Sequence, residues 1–222
     1  VRGVSKSGGA GASASSRAIA LVTSAGFAQA YRRTGVSLSV SAIAGEGTGM
    51  ERDHDYSAAC HFEDLKTPQE VVKSAGERAV KRLNARKIAS QAVTVIYDRR
   101  VASSLLGHLS SAINGAAIAR GTSFLKSKMG QQIFSKGISV IDDPLRLRGL
   151  ASRPFDGEGL SSSSRELIAD GILTGWVLDL RSARQLGLPP TGNGSRGLSS
   201  PPGPSTSNLH LKPGQLSPEE MI

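Results

Sequence analysis

Two pairs of carboxylates are the residues best placed to do chemistry in this sequence. Asp142 and Asp143 follow a short apolar strand, Ser139–Ile141. Asp156 and Glu158 lie two residues apart in the run Phe155-Asp156-Gly157-Glu158-Gly159. Such a pair could divide the roles of general acid and base. Carboxylates in a Gly-rich loop also serve structure, accepting loop hydrogen bonds or forming an ion pair with Arg153, and the spacing favours this second reading. Other chemistries lack their parts. The histidines are His54, His61, His108 and His210, and no HExxH places two of them on one helix face for zinc. His54 and His61 share a polar, strand-like stretch (50–62) without a third ligand and read as surface residues, as does the isolated His108. No G-x-S-x-G elbow offers a serine nucleophile oriented by a histidine and an acid. GNGSRG at 192–197 has glycines but neither the lysine nor the strand-to-helix setting of a phosphate-binding loop.

The elements that would position these residues are legible in part. After the acidic loop, Glu166–Ala169 and Ile172–Asp179 flank Asp170-Gly171, the favoured two-residue type I′ hairpin turn. Upstream, Arg17–Ser24, Phe27–Arg33 and Val36–Ile43 read as strands of a β-meander, with Gly45–Gly49 as its next turn. Ser5–Ser16, almost all Gly, Ala and Ser, is either a flexible linker or a thin, closely packed strand. Thr67-Pro68-Gln69-Glu70 is a capping box with proline at the first helical position. It opens a helix whose apolar stripe is Val72, Ala75, Ala79 and Leu83, with Glu77 and Lys81 paired on its surface. Ala92–Tyr97 reads as a buried strand after a polar junction at 86–91. Arg99–Arg120 reads as a second helix, on which Ser103, Gly107, Ser111 and Gly115 recur every four residues. Such a line of small side chains admits a second backbone at close range. It serves either packing against a strand or the docking of a peptide or partner chain. Thr191–Asn208 is a Gly/Ser/Pro-rich loop, long enough to be functional or disordered.

Length and charge narrow the class. The 222 residues are 38% hydrophobic and 20% charged, enough for one or two domains with a core. The longest apolar runs are too short to span a bilayer. The net charge of +9 is spread along the chain, the last 72 residues carrying 6 basic and 7 acidic groups, and aromatics are 4%. No basic stripe interleaved with stacking side chains results, which argues against direct nucleic-acid binding. One cysteine, Cys60, excludes an internal disulfide and suits a reducing compartment; with no basic-then-apolar leader, the expected location is the cytoplasm. The first residue is Val, and Ser217-Pro218-Glu219-Glu220 reads as a helix start at the very end, so a fragment is expected. The predicted fold is α+β: a β-meander followed by a mixed sheet with packed helices, part of a larger two- or three-domain protein. The expected division is 1–88, ending a middle domain in a meander and helix, and 91–222, a C-terminal domain truncated at its end.

The run from Gly121 to Leu188, with FDGEG ahead of the Asp-Gly hairpin, the later TGNGSRG and the Asn208-bearing TSNLHL, resembles the C-terminal domain of the TldD/PmbA family. DLKTPQEVVKSAGERAVKRL before it is similar too, so the resemblance covers essentially the whole chain. It implies a subunit of a heterodimeric protease for unfolded peptides, acting in peptide maturation or antitoxin degradation, microcin precursors among its substrates. In that family the TldD branch holds zinc through HExxxH, with a further ligand near its C-terminus, and the PmbA/TldE branch lacks the motif. Aligned on Gly121, Gly130 and Asp142-Asp143, the motif falls on Leu106–Ser111, where Leu106 and Ser111 replace the histidines and Gly107 the glutamate. The resemblance is thus to the PmbA/TldE branch, with no catalytic or metal residue in this chain, no cofactor of its own, and zinc in a TldD-type partner. Residues facing substrate or partner would be Ser103, Gly107, Ser111, Gly115, Arg153, Asp156, Glu158 and Asn208. The older name of the family implies an alternative: a non-proteolytic modulator of DNA gyrase.

Overall fold

A computed structural model describes residues 1–217 and 219–221. The chain forms two compact units, Val1–Ile19 with Arg32–Val93, and Ala20–Tyr31 with the chain from Thr94 onward.

The first unit contains most of a three-stranded sheet in the order β1 (Val4–Val22), β2 (Ala28–Ala44), β3 (Glu51–Ala59), with helix α1 (Pro68–Lys81) against β3; the end of β1 and the start of β2 fall in the second unit. Ser5–Ser16 is strand throughout. Its small residues let the β2 backbone and hydroxyls close in: Ser13 and Ser37 hydroxyls lie 2.9 Å apart, and a Cβ on Gly8 would stand 2.7 Å from Ser41 Oγ. The segments 28–33 and 36–43 merge into the single strand β2, which pairs antiparallel with β3 from Val36↔Ala59 to Ala44↔Glu51.

Helix α1 begins at its capping box: Thr67 N–H donates to Glu70 Oε2 at 2.7 Å and Glu70 N–H to Thr67 Oγ1 at 3.3 Å. Its buried stripe is Val71, Ala75 and Ala79; Val72, the valine expected inside, is 49% exposed. Two adjacent valines are equivalent to a periodicity argument, and the rotational setting of the helix decides between them. The surface pair is Lys73–Glu77 at 3.9 Å instead of Glu77–Lys81. Beside the small apolar core, β3 meets α1 through charge. Glu51 and Asp53 face Arg82, and the buried Asp55 lies 3.9 Å from Arg78 and 3.6 Å from Lys66. Burial opposes ionisation of Asp55, but hydrogen bonds from Ser74 and Tyr56 N–H, with both cations, hold its carboxyl below the usual range.

The second unit contains α2 (Arg99–Ala112), α3 (Gly115–Ala119), β4 (Val140–Asp142), β5 (Arg165–Ala169), β6 (Ile172–Leu173), α4 (Leu180–Leu186), β7 (Gly194–Ser195), β8 (Gly203–Pro204) and β9 (Leu209–Leu211). Its main sheet runs β6-β5-β4-β9, antiparallel at each pairing, and β7 pairs with β8. Leu109, Ile113, Ile118, Val140, Ile168 and Leu173 are at the centre of its core. Two expectations fail here. Ala92–Tyr97 forms no strand, and Val93, Val95, Ile96 and Tyr97 are 48–62% exposed; a β-prone run needs a neighbour, and among the described residues none pairs with it. The helix expected over Arg99–Arg120 breaks after Ala112. There the Ile113 carbonyl and the Gly115 N–H are taken by Val177, with Val177 N–H donating to Ile113 O (3.0 Å) and Gly115 N–H to Val177 O (2.8 Å). Asn114 then caps α3 by accepting from Ala116 N–H.

The hairpin forms as its sequence requires. Asp170 and Gly171 have φ of 48° and 83°, and Ala169 faces Ile172. Gly171 is also packed: a Cβ there would overlap Phe134 O and lie 2.7 Å from Ser135 O. At the far end Ser217 and Glu220 exchange the hydrogen bonds of a capping box, while Pro218 of that motif lies outside the described residues. Among the described residues no helix is long and apolar enough to cross a membrane. Gly171→Val is expected to destabilise the second unit by about 1–3 kcal/mol through strain at positive φ. A thermal melt of the variant that overlays the parent's would contradict this.

Candidate functional site

Within the second unit the acidic loop and the 191–208 segment are built on each other. Asp156 is 2% exposed, and its two oxygens take three backbone N–H groups: Glu158 and Leu160 at 2.9 Å on Oδ1, and Gly194 at 2.8 Å on Oδ2. Gly157 N–H returns a bond to Gly194 O at 2.7 Å. Phe155, buried beside it, stacks edge-on against Phe27 and Tyr31 at centroid distances of 5.0 and 5.1 Å. Glu158 Oε2 accepts from Leu180 N–H (2.7 Å) at the start of α4, whose cap is Asp179. Burial pushes the Glu158 carboxyl up; the Leu180 N–H opposes this, and the neighbouring Asp179 and Asp156 charges add to it.

Asp142, also 2% exposed, anchors the other side. It accepts from Ser207 N and Oγ, both at 2.6 Å, and from Asn193 Nδ2 at 2.8 Å. Asn208 clamps the arginine-bearing loop, accepting from Ala151 N–H and donating to Asp143 O and Ser152 Oγ. The segment Thr191–Asn208 is therefore an ordered part of the domain, closed by β7 and β8. No ion pair between Arg153 and Asp156 or Glu158 is present among the described residues; Arg153 Nη2 reaches Ser205 O at 3.4 Å, and its Nε is buried without a partner. With every Asp156 oxygen engaged by backbone donors, the arrangement is that of a clasp and not of an acid/base pair.

Helix α2 presents a different surface. Its exposed side borders an apolar groove of about 740 Å³, lined by Leu105, Leu106, Leu109, Phe124 and Phe134, with His108 and Ser111 at its edge. The four small residues part company here. Gly115 does not face the groove: it is buried, and a Cβ there would come within 2.6 Å of Ser182 Oγ and 2.8 Å of Val177 O. Its glycine is explained by packing, which corrects its place among the partner-facing candidates. Ser103, Gly107 and Ser111 are exposed, and Ser111 Oγ is turned back onto Gly107 O at 3.0 Å. A Cβ on Gly107 would meet nothing within 4 Å, so packing within the chain does not call for glycine there. The groove does not fit zinc, which takes about three N, O or S ligands from protein. It offers one imidazole and no carboxylate, and among the described residues no three His, Cys, Asp or Glu side chains come together as a metal site.

Comparison with known families places the chain among metallopeptidase domains. Residues 1–83 match the PmbA/TldA metallopeptidase central domain and 90–222 its C-terminal domain. The chain belongs to the PmbA/TldD metallopeptidase family. It is 42% identical over 168 residues to Metalloprotease PmbA of Escherichia coli O157:H7, a match covering 76% of this chain and 37% of that protein. A crystal structure from Bacteroides thetaiotaomicron, of a protein named for modulation of DNA gyrase, superposes with a TM-score of 0.84 at 25% identity, over 96% of this chain and 46% of its own. TldE from Thermococcus kodakarensis shares the fold, with a TM-score of 0.75 at 23% identity over 96% and 48%. The chain thus spans less than half the length of these relatives.

The sequence singled out Asp142 but left its partners Asn193 and Ser207 unnoticed, since no local pattern joins residues 51 and 65 positions apart. Asp156→Asn replaces an acceptor by an N–H donor facing backbone N–H groups. It should cost about 1–3 kcal/mol, read as a lowered urea midpoint, with turnover of any intact complex changed less than tenfold. A variant that unfolds at the parent midpoint but has lost more than a hundredfold in turnover would give Asp156 a place in the chemistry.

Proposed function

We propose that this chain is part of a PmbA/TldE-type subunit of a heterodimeric metalloprotease acting on unfolded peptides in the cytoplasm. In this reading it supplies binding surface, while a TldD-type partner supplies zinc. The observation that carries the proposal is helix α2. By the family alignment, Leu106, Gly107 and Ser111 stand where the zinc motif of the sibling falls; Leu106 and Ser111 line the apolar groove, and Gly107 between them is exposed with no packing need for glycine. A glycine in an exposed helix interior costs about 0.5–1 kcal/mol relative to alanine, so a use outside the chain accounts for it. Leu105 and Phe134, each 40–48% exposed, and Phe124 at 80%, give the groove an apolar floor suited to an extended segment. The Bacteroides relative's name supports a second reading, a regulatory protein acting on gyrase without proteolysis.

The test is cleavage of unfolded peptides by the full-length protein alone, a TldD-type partner alone, and the mixture, each with and without chelator. Chelator-sensitive turnover is expected with the mixture and not with this subunit alone. Turnover by this subunit alone with stoichiometric zinc would overturn the proposal, and binding to gyrase without any effect on the mixture's proteolysis would establish the second reading. Gly107 gives a separate check. Gly107→Ala should raise stability by about 0.5–1 kcal/mol in denaturant unfolding, and Gly107→Leu should lower turnover of the mixture more than tenfold. Turnover unchanged by leucine at this position would remove α2 from the binding surface.

A further inference from the structure

A second cavity of the same unit, about 510 Å³, opens between the 160–165 segment, the residues after β6 and the loop following α4. Part of its wall is apolar, with Trp176 and Leu178 buried at 5% and 2% exposure and Met129 and Leu188 closing the mouth at 39% each, while Ser161, Ser163, Thr174 and Thr191 contribute hydroxyls. One charge lies in it, the guanidinium of Arg165 on β5. Nη1 bonds Trp176 O at 3.0 Å, and among the described residues the guanidinium makes no other hydrogen bond and no ion pair. Its cross-strand neighbour Asp142 lends electrostatic support, but the Asp142 oxygens are taken by Ser207 and Asn193. The bed for Nη2 is made by a missing side chain, since a Cβ on Gly175 would stand 2.7 Å from it. Burial pulls the guanidinium below its usual range, the Asp142 charge opposing this, and arginine nevertheless stays charged at any working pH. A half-dehydrated cation with idle, coplanar donors beside an indole and aliphatic walls is complementary to a carboxylate carried next to an apolar group.

We propose that this pocket binds a peptide carboxylate, from a free C-terminus or an acidic side chain, with Arg165 as its counter-ion and the Trp176–Leu178 wall receiving the neighbouring apolar side chain. The inference deepens the peptide-binding reading above and takes from it only the class of ligand. It adds a preference: acidic or freshly exposed chain ends are held by this subunit, away from the α2 groove.

Trp176 is the single tryptophan of the chain, so its emission reports occupancy directly. The chain alone, without partner or zinc, is titrated with three hexapeptides of Ala and Leu: one with a free C-terminus, its C-terminal amide, and the amide carrying one internal Glu. The expected result is a saturable change in Trp176 emission with the first or third peptide, at least tenfold tighter than with the plain amide and weakened by added salt. Which of the two binds identifies the source of the carboxylate. Arg165→Gln should weaken the binding at least tenfold. Should that variant unfold for want of its bond to Trp176, Leu188→Glu, at the half-exposed mouth, should weaken it by repulsion with the melting temperature unchanged. Equal binding of all three peptides, no binding of any, or binding unaffected by these variants would overturn the proposal. Because the readout is equilibrium binding to the isolated chain, failure of proteolysis in the mixture leaves it standing, and its own failure leaves the heterodimer reading standing.

Discussion

The three N–H groups gathered by Asp156 hold the second unit together at its least regular point. Between Asp142 and Arg165 the chain contains no strand or helix, and the segment 191–208 has only two two-residue strands. Backbone groups in such stretches have no ladder to satisfy them, and leaving them buried and unpaired costs about 1–3 kcal/mol each. A buried carboxylate solves this locally, because two oxygens accept several donors from different loops at once. Asp142 does the same for Ser207 and Asn193, and Asn208 for the loop at 143–152. The acidic residues that first suggested catalysis are the acceptors around which loops are folded.

This division of labour explains the rest of the unit. With its loops fixed by side-chain acceptors, the sheet needs only short strands, and β4 and β9 suffice with three residues each. Helix α2 is then free to keep one face out of the core. The same economy appears in the first unit, where α1 rests on β3 partly through Arg78 and Arg82 on acidic residues in place of a thick apolar layer. Such ion pairs contribute little where exposed; the buried Asp55 is the member that fixes position.

What could be read in the sequence followed from local chemistry. The Asp-Gly turn and the Thr67–Glu70 cap are each fixed by residues within four positions of one another, and both formed. The family and the α+β class were legible as well. The misplaced elements depended on partners far along the chain. The helix from Arg99 breaks because Val177 bonds Ile113 and Gly115, and nothing near Asn114 reveals that claim except its own aptitude as a cap. Ala92–Tyr97 has strand propensity, but among the described residues no strand pairs with it. Of the small-residue line, only the structure separates Gly115, held against Ser182, from Gly107, where an added Cβ would meet nothing within 4 Å. Arg165 and Trp176 were invisible as a pair because their meeting depends on the hairpin folding back.

The pairing of Asp142 has a consequence in time. Its acceptor oxygens wait for Asn193 and for Ser207, which lies 65 residues downstream, and β4 gains its outer neighbour only with Leu209–Leu211. At a synthesis rate of about 5–20 residues per second, the carboxylate stays without these partners for about 3–13 s after it is made. Through that interval the hairpin at Asp170-Gly171 can close, since its partners at 133–139 precede it in the chain, but the sheet ends at β4 with an open edge. This part of the second unit therefore settles late in synthesis, when β9 arrives just after the donors that satisfy the buried Asp142 oxygens.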